Sequence, residues 1–184
     1  YTQSGWRGKL ETEGGGALIN QSIHTMDLLG VLLGKPVSVE AQTANHHLPG
    51  IIEVEDTLEA YIHYENAEAC FYATTAYTED APPLIEISCE NVVIRIEDLD
   101  VTLFWKDGCG GSGRIERPEI VRKQALGKSY WGTGHLDCIS DFYRCLKTGG
   151  RFAQDLNGVR DTVRLMLGAY ESAGCAGKEI RLKL

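Results

Sequence analysis

The chain has 184 residues, of which 43% are hydrophobic and 24% charged, and its formal net charge is −8. A chain of this length buries roughly 70% of the surface that its unfolded form exposes, so its core needs no disulfides or metal ions. The acidic balance argues against a nucleic-acid partner, because clustered lysine and arginine carry affinity for phosphate backbones. No apolar run reaches about eighteen residues, so we expect no membrane span. No signal-peptide pattern follows Tyr1, so we expect a cytoplasmic protein.

The first predicted element is a helix over 17–33, which follows Gly14, Gly15 and Gly16 and ends at Gly34 and Pro36. The hydrophobic period then changes from 3.6 to two, which is typical of half-buried strands. This pattern predicts strands over 37–42, 57–64, 69–76, 84–88, 92–96 and 101–105. Their short connections favour antiparallel pairing, because parallel strands need crossovers of about a dozen residues or more.

The end of the chain returns to helices. A Gly-rich, charged loop is expected over 106–131, followed by helices over 135–146 and 157–173 and a short strand over 178–184. The order of helix, hairpin strands and two helices predicts an α+β fold, with an open, mostly antiparallel sheet and helices packed on one face.

The helix over 17–33 carries polar residues in an unusual place. At 100° per residue, Asn20, His24 and Asp27 fall within about 60° of one another, opposite an apolar face that includes Leu18 and Met26. One interpretation is a structural histidine paired with Asp27. The other is a general base, because imidazole exchanges protons near neutral pH. The preceding glycines would let a chain segment or ligand approach the first turn closely.

These residues also carry a family resemblance. Trp6-Arg7-Gly8 and the segment 14–29, GGGALINQSIHTMDLL, resemble the signature of the Gfo/Idh/MocA C-terminal domain. Glu55-Asp56-Thr57 ahead of a strand is similar to a recurrent segment of that family. Phe142 in the first closing helix and Tyr170-Glu171-Ser172 at the end of the second are similar to its closing region.

The resemblance implies a two-domain enzyme, in which a Rossmann domain precedes an α+β domain. Residues 1–184 would form the C-terminal substrate and oligomerisation domain, with the N-terminal Rossmann domain absent from this chain. The family transfers a hydride between a nicotinamide cofactor and a secondary alcohol, so we expect a sugar, polyol or cyclitol substrate. NAD or NADP would bind mainly to the missing domain, leaving this fragment inactive by itself. The open sheet would form a homodimer or tetramer.

The resemblance also implies roles for single residues. His24 matches a histidine that exchanges the hydroxyl proton together with a lysine of the first domain. Asn20 stands where many members carry Asp; because an amide holds no charge, we assign Asn20 to substrate hydrogen bonding. Trp6 and Arg7 match positions that contact the nicotinamide end of the cofactor in some relatives. His135 lies seven residues before Phe142, where some relatives place a tyrosine that reaches the cofactor.

Other interpretations compete with this assignment. Asn20 favours an alternative function, a non-catalytic binding or oligomerisation module that retains the fold. The glycines over 108–113 fit G-x-G-x-x-G, but a proline-containing stretch follows instead of a helix, so we expect a flexible loop. His46-His47 with Glu53 and Glu55 is interpreted as a turn rather than a metal site. Glu55-Asp56 is not a glycosidase pair, because neighbours in an extended chain point to opposite sides.

Overall fold

The computed structural model of the chain describes residues 5–108, 112–120 and 134–183. The chain divides into two compact units. The first unit comprises Tyr1–Glu79 and Ala153–Leu184, and the second comprises Asp80–Phe152. The helices are α1 (Leu10–Glu13), α2 (Ile23–Leu33), α3 (Gly134–Thr148) and α4 (Arg160–Gly174), and a π-helical segment, Leu18–Ser22, directly precedes α2. The strands are β1 (Pro36–Ala44), β2 (Thr57–Tyr64), β3 (Glu68–Thr74), β4 (Leu84–Ser88), β5 (Val92–Glu97), β6 (Asp100–Lys106), β7 (Ser112–Glu116) and β8 (Ile180–Arg181).

The first unit is a four-stranded antiparallel sheet in the order β3-β2-β1-β8, with α4 packed on β1 and α2 packed on α4. One face of the sheet is apolar because alternate residues of each strand point to the same side. Val39, Leu58 and Ile62 on this face are buried, as are Leu165 and Ala169 of α4. The core therefore lies between the sheet and α4.

The second unit contains the antiparallel sheet β4-β5-β6-β7 and helix α3. The α+β class predicted from the sequence is confirmed, and its mostly antiparallel strands fall into two four-stranded sheets. Of the helices in the described ranges, none has both the length and the apolar composition that a bilayer crossing requires.

The predicted loop over 106–131 is wrong at one point, because β7 lies within it and pairs with β6. Gly113 lets the two backbones approach, since a Cβ there would lie 2.6 Å from the carbonyl oxygen of Trp105. Glu116 accepts a hydrogen bond from the Trp105 indole at 3.1 Å. This strand has no apolar alternation to reveal it. The parts of the expected loop at 109–111 and 121–131, which include part of the glycine motif, lie outside the described residues.

A buried carboxylate organises the turn between β1 and β2. Asp56 is fully buried, and its two oxygens accept the backbone N–H groups of His46 at 3.0 Å, His47 at 2.6 Å and Leu48 at 3.3 Å. The Thr57 hydroxyl donates a fourth bond at 2.9 Å. Burial alone would raise the pKa of Asp56, but these hydrogen bonds outweigh it and lower the pKa below its usual value. The His46-His47 segment is thus a turn held by Asp56.

We predict that Asp56→Asn lowers the free energy of unfolding by about 1–3 kcal/mol at pH 7, because an amide cannot accept all four bonds. Since the folded pKa lies below that of an unfolded aspartate, about 3.9, the wild-type advantage is fully present above about pH 4. It is lost as the pH falls through the folded pKa. Urea unfolding followed by circular dichroism between pH 2 and 7 measures this difference, with the exposed Glu59→Gln as the control. A difference that stays constant down to pH 2 would contradict the assignment.

Candidate functional site

The helix predicted to carry the functional residues begins at a carboxylate from a distant segment. Glu55 accepts the backbone N–H of Gly16 at 2.8 Å through Oε2 and that of Leu18 at 3.0 Å through Oε1. Its backbone carbonyl accepts the N–H of Ala17 at 3.0 Å. The first N–H groups of a helix have no partner within the helix, and the helix dipole favours negative charge at that end. Glu55 therefore satisfies these groups and compensates the dipole.

Tyr170 of α4 completes this arrangement. Its hydroxyl donates to Oε1 of Glu55 at 2.9 Å. Burial, followed by the negative charge and hydrogen bond of Glu55, raises the pKa of Tyr170 well above its ordinary value. The phenol therefore stays protonated and remains a donor at physiological pH. We call Glu55 and Tyr170 together the Glu55–Tyr170 cap.

Gly15 and Gly16 are required because Tyr170 and Glu55 lie very close to the backbone at these two positions. A Cβ at Gly16 would overlap the carbonyl oxygen of Glu55, and one at Gly15 would overlap the hydroxyl of Tyr170. The expectation that the glycines admit a close approach to the first turn is confirmed for Gly15 and Gly16, and the approaching groups belong to the chain itself. A Cβ at Gly14 would meet nothing within 4 Å.

Asn20 and Ser22 hold the first turns together. The Asn20 side chain donates through Nδ2 to the carbonyl of Gly15 at 3.0 Å, and its backbone N–H donates to Gly16 at 3.0 Å. The Ser22 hydroxyl donates to the carbonyl of Ala17 at 3.0 Å. These bonds surround the π-helical segment, a distortion often found at functional sites. Asn20 is exposed, and its Oδ1 is left to accept a hydrogen bond from a ligand.

The His24 side chain is exposed in the first turn of α2 and forms no hydrogen bond or ion pair with any residue in the described part of the chain. Asp27 does not pair with it, since its carboxylate accepts the Thr162 hydroxyl of α4. A rotation of about 60° around the helix separates the two positions, so His24 faces solvent while Asp27 lies in the α2–α4 contact. The interpretation of His24 as a histidine paired with Asp27 is therefore wrong, because Asp27 is bound to Thr162.

The remaining candidates lie in two places. Trp6 is 55% exposed, and the Arg7 guanidinium carbon lies 5.3 Å from the centroid of its ring. His135 is the second residue of α3 and is exposed in the second unit. The structure thus brings Trp6 and Arg7 into contact and places Asn20 and His24 on consecutive helical segments.

Sequence reasoning missed the connection between Glu55 and Tyr170. Both belong to segments with a family resemblance, but nothing in their composition indicates that they meet across 115 positions. One signal was available. Three glycines before a helix that lacks its own Ser, Thr or Asp cap indicate that the capping group comes from elsewhere.

We predict that Gly16→Ala lowers the free energy of unfolding by about 1–3 kcal/mol, because the new methyl group forces the backbone away from Glu55. Gly30→Ala is the matched control, since a Cβ there meets nothing within 4 Å, and we expect it to stabilise α2 by about 0.5–1 kcal/mol. Thermal or urea unfolding measures both variants. Equal effects of the two substitutions would show that the close approach to Glu55 is not a constraint.

Comparisons with known proteins show the family and the fold of this chain. Residues 1–95 match the family model for the GFO/IDH/MocA C-terminal domain. Comparison with curated protein sequences gave no match. The fold is similar to that of levoglucosan dehydrogenase in complex with NADH and levoglucosan, with a TM-score of 0.77 and 20% identity over 97% of this chain and 53% of that one.

Two further solved structures give the same result. The WlbA dehydrogenase from Bordetella pertussis, in complex with NADH and UDP-GlcNAcA, has a TM-score of 0.72 and 26% identity over 100% of this chain and 51% of its own. An NAD binding oxidoreductase from Klebsiella pneumoniae has a TM-score of 0.80 and 14% identity over 98% and 54%. This chain spans about half the length of these structures. Because the family model matches more than half of the sequence, the chain belongs to the GFO/IDH/MocA C-terminal domain family.

Proposed function

We propose that this chain is the substrate-side domain of an NAD(P)-dependent oxidoreductase that acts on a secondary alcohol of a sugar, polyol or cyclitol. The observation that carries the proposal is His24, an exposed imidazole on a helix whose first turn is fixed by Glu55. Structures with a similar fold were solved with NADH and levoglucosan, and with NADH and UDP-GlcNAcA. Family membership and these ligands support the same reaction class.

In the proposed mechanism His24 takes the proton of the reacting hydroxyl when the alcohol is oxidised and returns it in the reverse reaction. A nicotinamide cofactor, when bound, would supply the hydride chemistry at the carbinol carbon. Asn20 orients a substrate hydroxyl through Oδ1, because its Nδ2 already donates to Gly15. His24 suits this role because no described residue competes for its ring nitrogens.

NAD or NADP would be held mainly by an N-terminal Rossmann domain, which we propose precedes residues 1–184 in the full-length enzyme. Trp6, Arg7 and His135 would border the nicotinamide end. The residues present fit such a group: the indole of Trp6 is more than half exposed, and the guanidinium beside it suits a carboxamide or phosphate oxygen.

We also propose that the open sheet of the first unit forms a homodimer or tetramer. Its outer face presents Tyr61 and Tyr72, which are 37% and 60% exposed. Aromatic side chains on an exposed sheet face are typical of protein–protein contacts.

A second candidate function is a non-catalytic binding or oligomerisation module. The bond from the Asn20 side chain to the Gly15 carbonyl favours it, because an aspartate could not donate this bond. Position 20 therefore has a structural role that requires no catalysis.

For the catalytic proposal, we predict that His24→Ala in the full-length enzyme lowers the rate constant of hydride transfer by roughly 10²–10⁴, because the hydroxyl proton loses its acceptor. Single-turnover absorbance of the reduced nicotinamide measures this rate. His47→Ala is the matched control, since that imidazole is exposed and only its backbone N–H is used in the fold. An unchanged rate in His24→Ala would remove this residue from the mechanism and favour the non-catalytic module.

A second prediction concerns which domain binds the cofactor. We expect residues 1–184 alone to bind NAD(H) far more weakly than the full-length protein, because the phosphate-binding loop belongs to the Rossmann domain. Isothermal titration calorimetry of both proteins measures this. Micromolar affinity in the isolated chain would contradict the proposed partition.

A further inference from the structure

We propose that Glu55 and Tyr170 are positioning residues. Their hydrogen bonds connect the His24 helix to α4 and hold the His24 side chain in the position that proton transfer requires. This inference rests on the proposed function of His24. It adds the residues that place the imidazole.

The first attachment holds the start of the helix, at residues that precede His24 in the chain. The Tyr170 hydroxyl donates to Glu55 at 2.9 Å, and Glu55 accepts the N–H groups of Gly16 and Leu18 at 2.8 and 3.0 Å. The three groups come from α4, from the segment before β2 and from the start of the helix. One carboxylate therefore joins three separate parts of the first unit.

The second attachment lies after His24. Thr162 of α4 donates its hydroxyl to Asp27, which is half-buried in α2. Thr162 and Tyr170 are eight positions apart on the same helix, about 12 Å along its axis. His24 lies between the two attachments in sequence, so both its helical turn and the direction of α2 are set by α4.

Hydrogen bonds within the first turns of the helix connect these attachments to His24. Asn20 binds the carbonyls of Gly15 and Gly16, and Ser22 binds that of Ala17. A loosened first turn would therefore move His24 as well. Displacement of a catalytic group by about 1 Å lowers a rate by as much as 10²-fold, because proton transfer needs near-ideal geometry.

Glu55 itself is not suited to proton transfer with a substrate. Its Oε1 already accepts two hydrogen bonds and its Oε2 accepts one, and all three donors belong to the protein. The half-buried carboxylate therefore acts through the helix.

The test is a double-mutant cycle on the full-length enzyme. Tyr170→Phe removes one bond of the first attachment, and we expect it to lower the single-turnover rate of hydride transfer about tenfold, with the dissociation constant of NAD(H) unchanged. In a His24→Ala background the same substitution should change the rate less than twofold, because the group that it positions is gone. Thr162→Val tests the second attachment by the same comparison. It replaces Tyr170→Phe in the cycle if that variant does not fold.

Ser172→Ala is the matched control on α4. Ser172 is fully buried and joins Ala41 of β1 to the carbonyl of Lys178, away from Glu55. It should lower the free energy of unfolding and leave the hydride-transfer rate of the folded enzyme unchanged. An unchanged rate in Tyr170→Phe, or an equal loss with and without His24, would overturn the positioning role while leaving the proposed function intact. An unaltered rate in His24→Ala alone would instead overturn the proposed function.

Discussion

The carboxylate of Glu55 at the start of the His24 helix is the interaction on which the rest of the first unit depends. A helix end buried without partners is costly, and this one contains no capping side chain of its own. The cap comes from 39 positions away, so the segment before β2 must pass directly over the first turn. The two buried glycines follow from that requirement, because any side chain there would occupy the space of Glu55 or Tyr170.

The neighbouring carboxylate has a separate task because adjacent side chains in an extended segment point in different directions. Glu55 binds the helix, whereas Asp56 binds the turn at 46–48 and is fully buried. Two consecutive acidic residues thus organise the start of a helix and a turn, and each accepts backbone N–H groups together with one hydroxyl. The two carboxylates thus bind separate parts of the backbone and do not face each other as a pair of catalytic acids would.

Much of the fold could be predicted because its strands alternate regularly. The predicted bounds of β2 and β4 agree with the structure, and the apolar face of the helix was correct for Leu18, Met26 and Leu29. β7 was missed because cross-strand backbone pairing and Gly113 define it, with no apolar alternation. The glycines indicated that another group approaches the start of the helix, but they could not identify Glu55 and Tyr170, because a bond between positions 115 apart leaves no pattern in either segment. The partner of Asp27 could not be predicted, because a helical projection of one segment does not contain α4.

The central claim is that a helix fixed by Glu55 presents His24 to a reacting hydroxyl. A crystal structure of the full-length protein with NAD(H) and its alcohol substrate tests this most directly. The account predicts a ring nitrogen of His24 at about 2.6–3.2 Å from the reacting hydroxyl oxygen, with Glu55 still bound to Gly16 and Leu18. A substrate hydroxyl that contacts another acid or base while His24 faces solvent would contradict it.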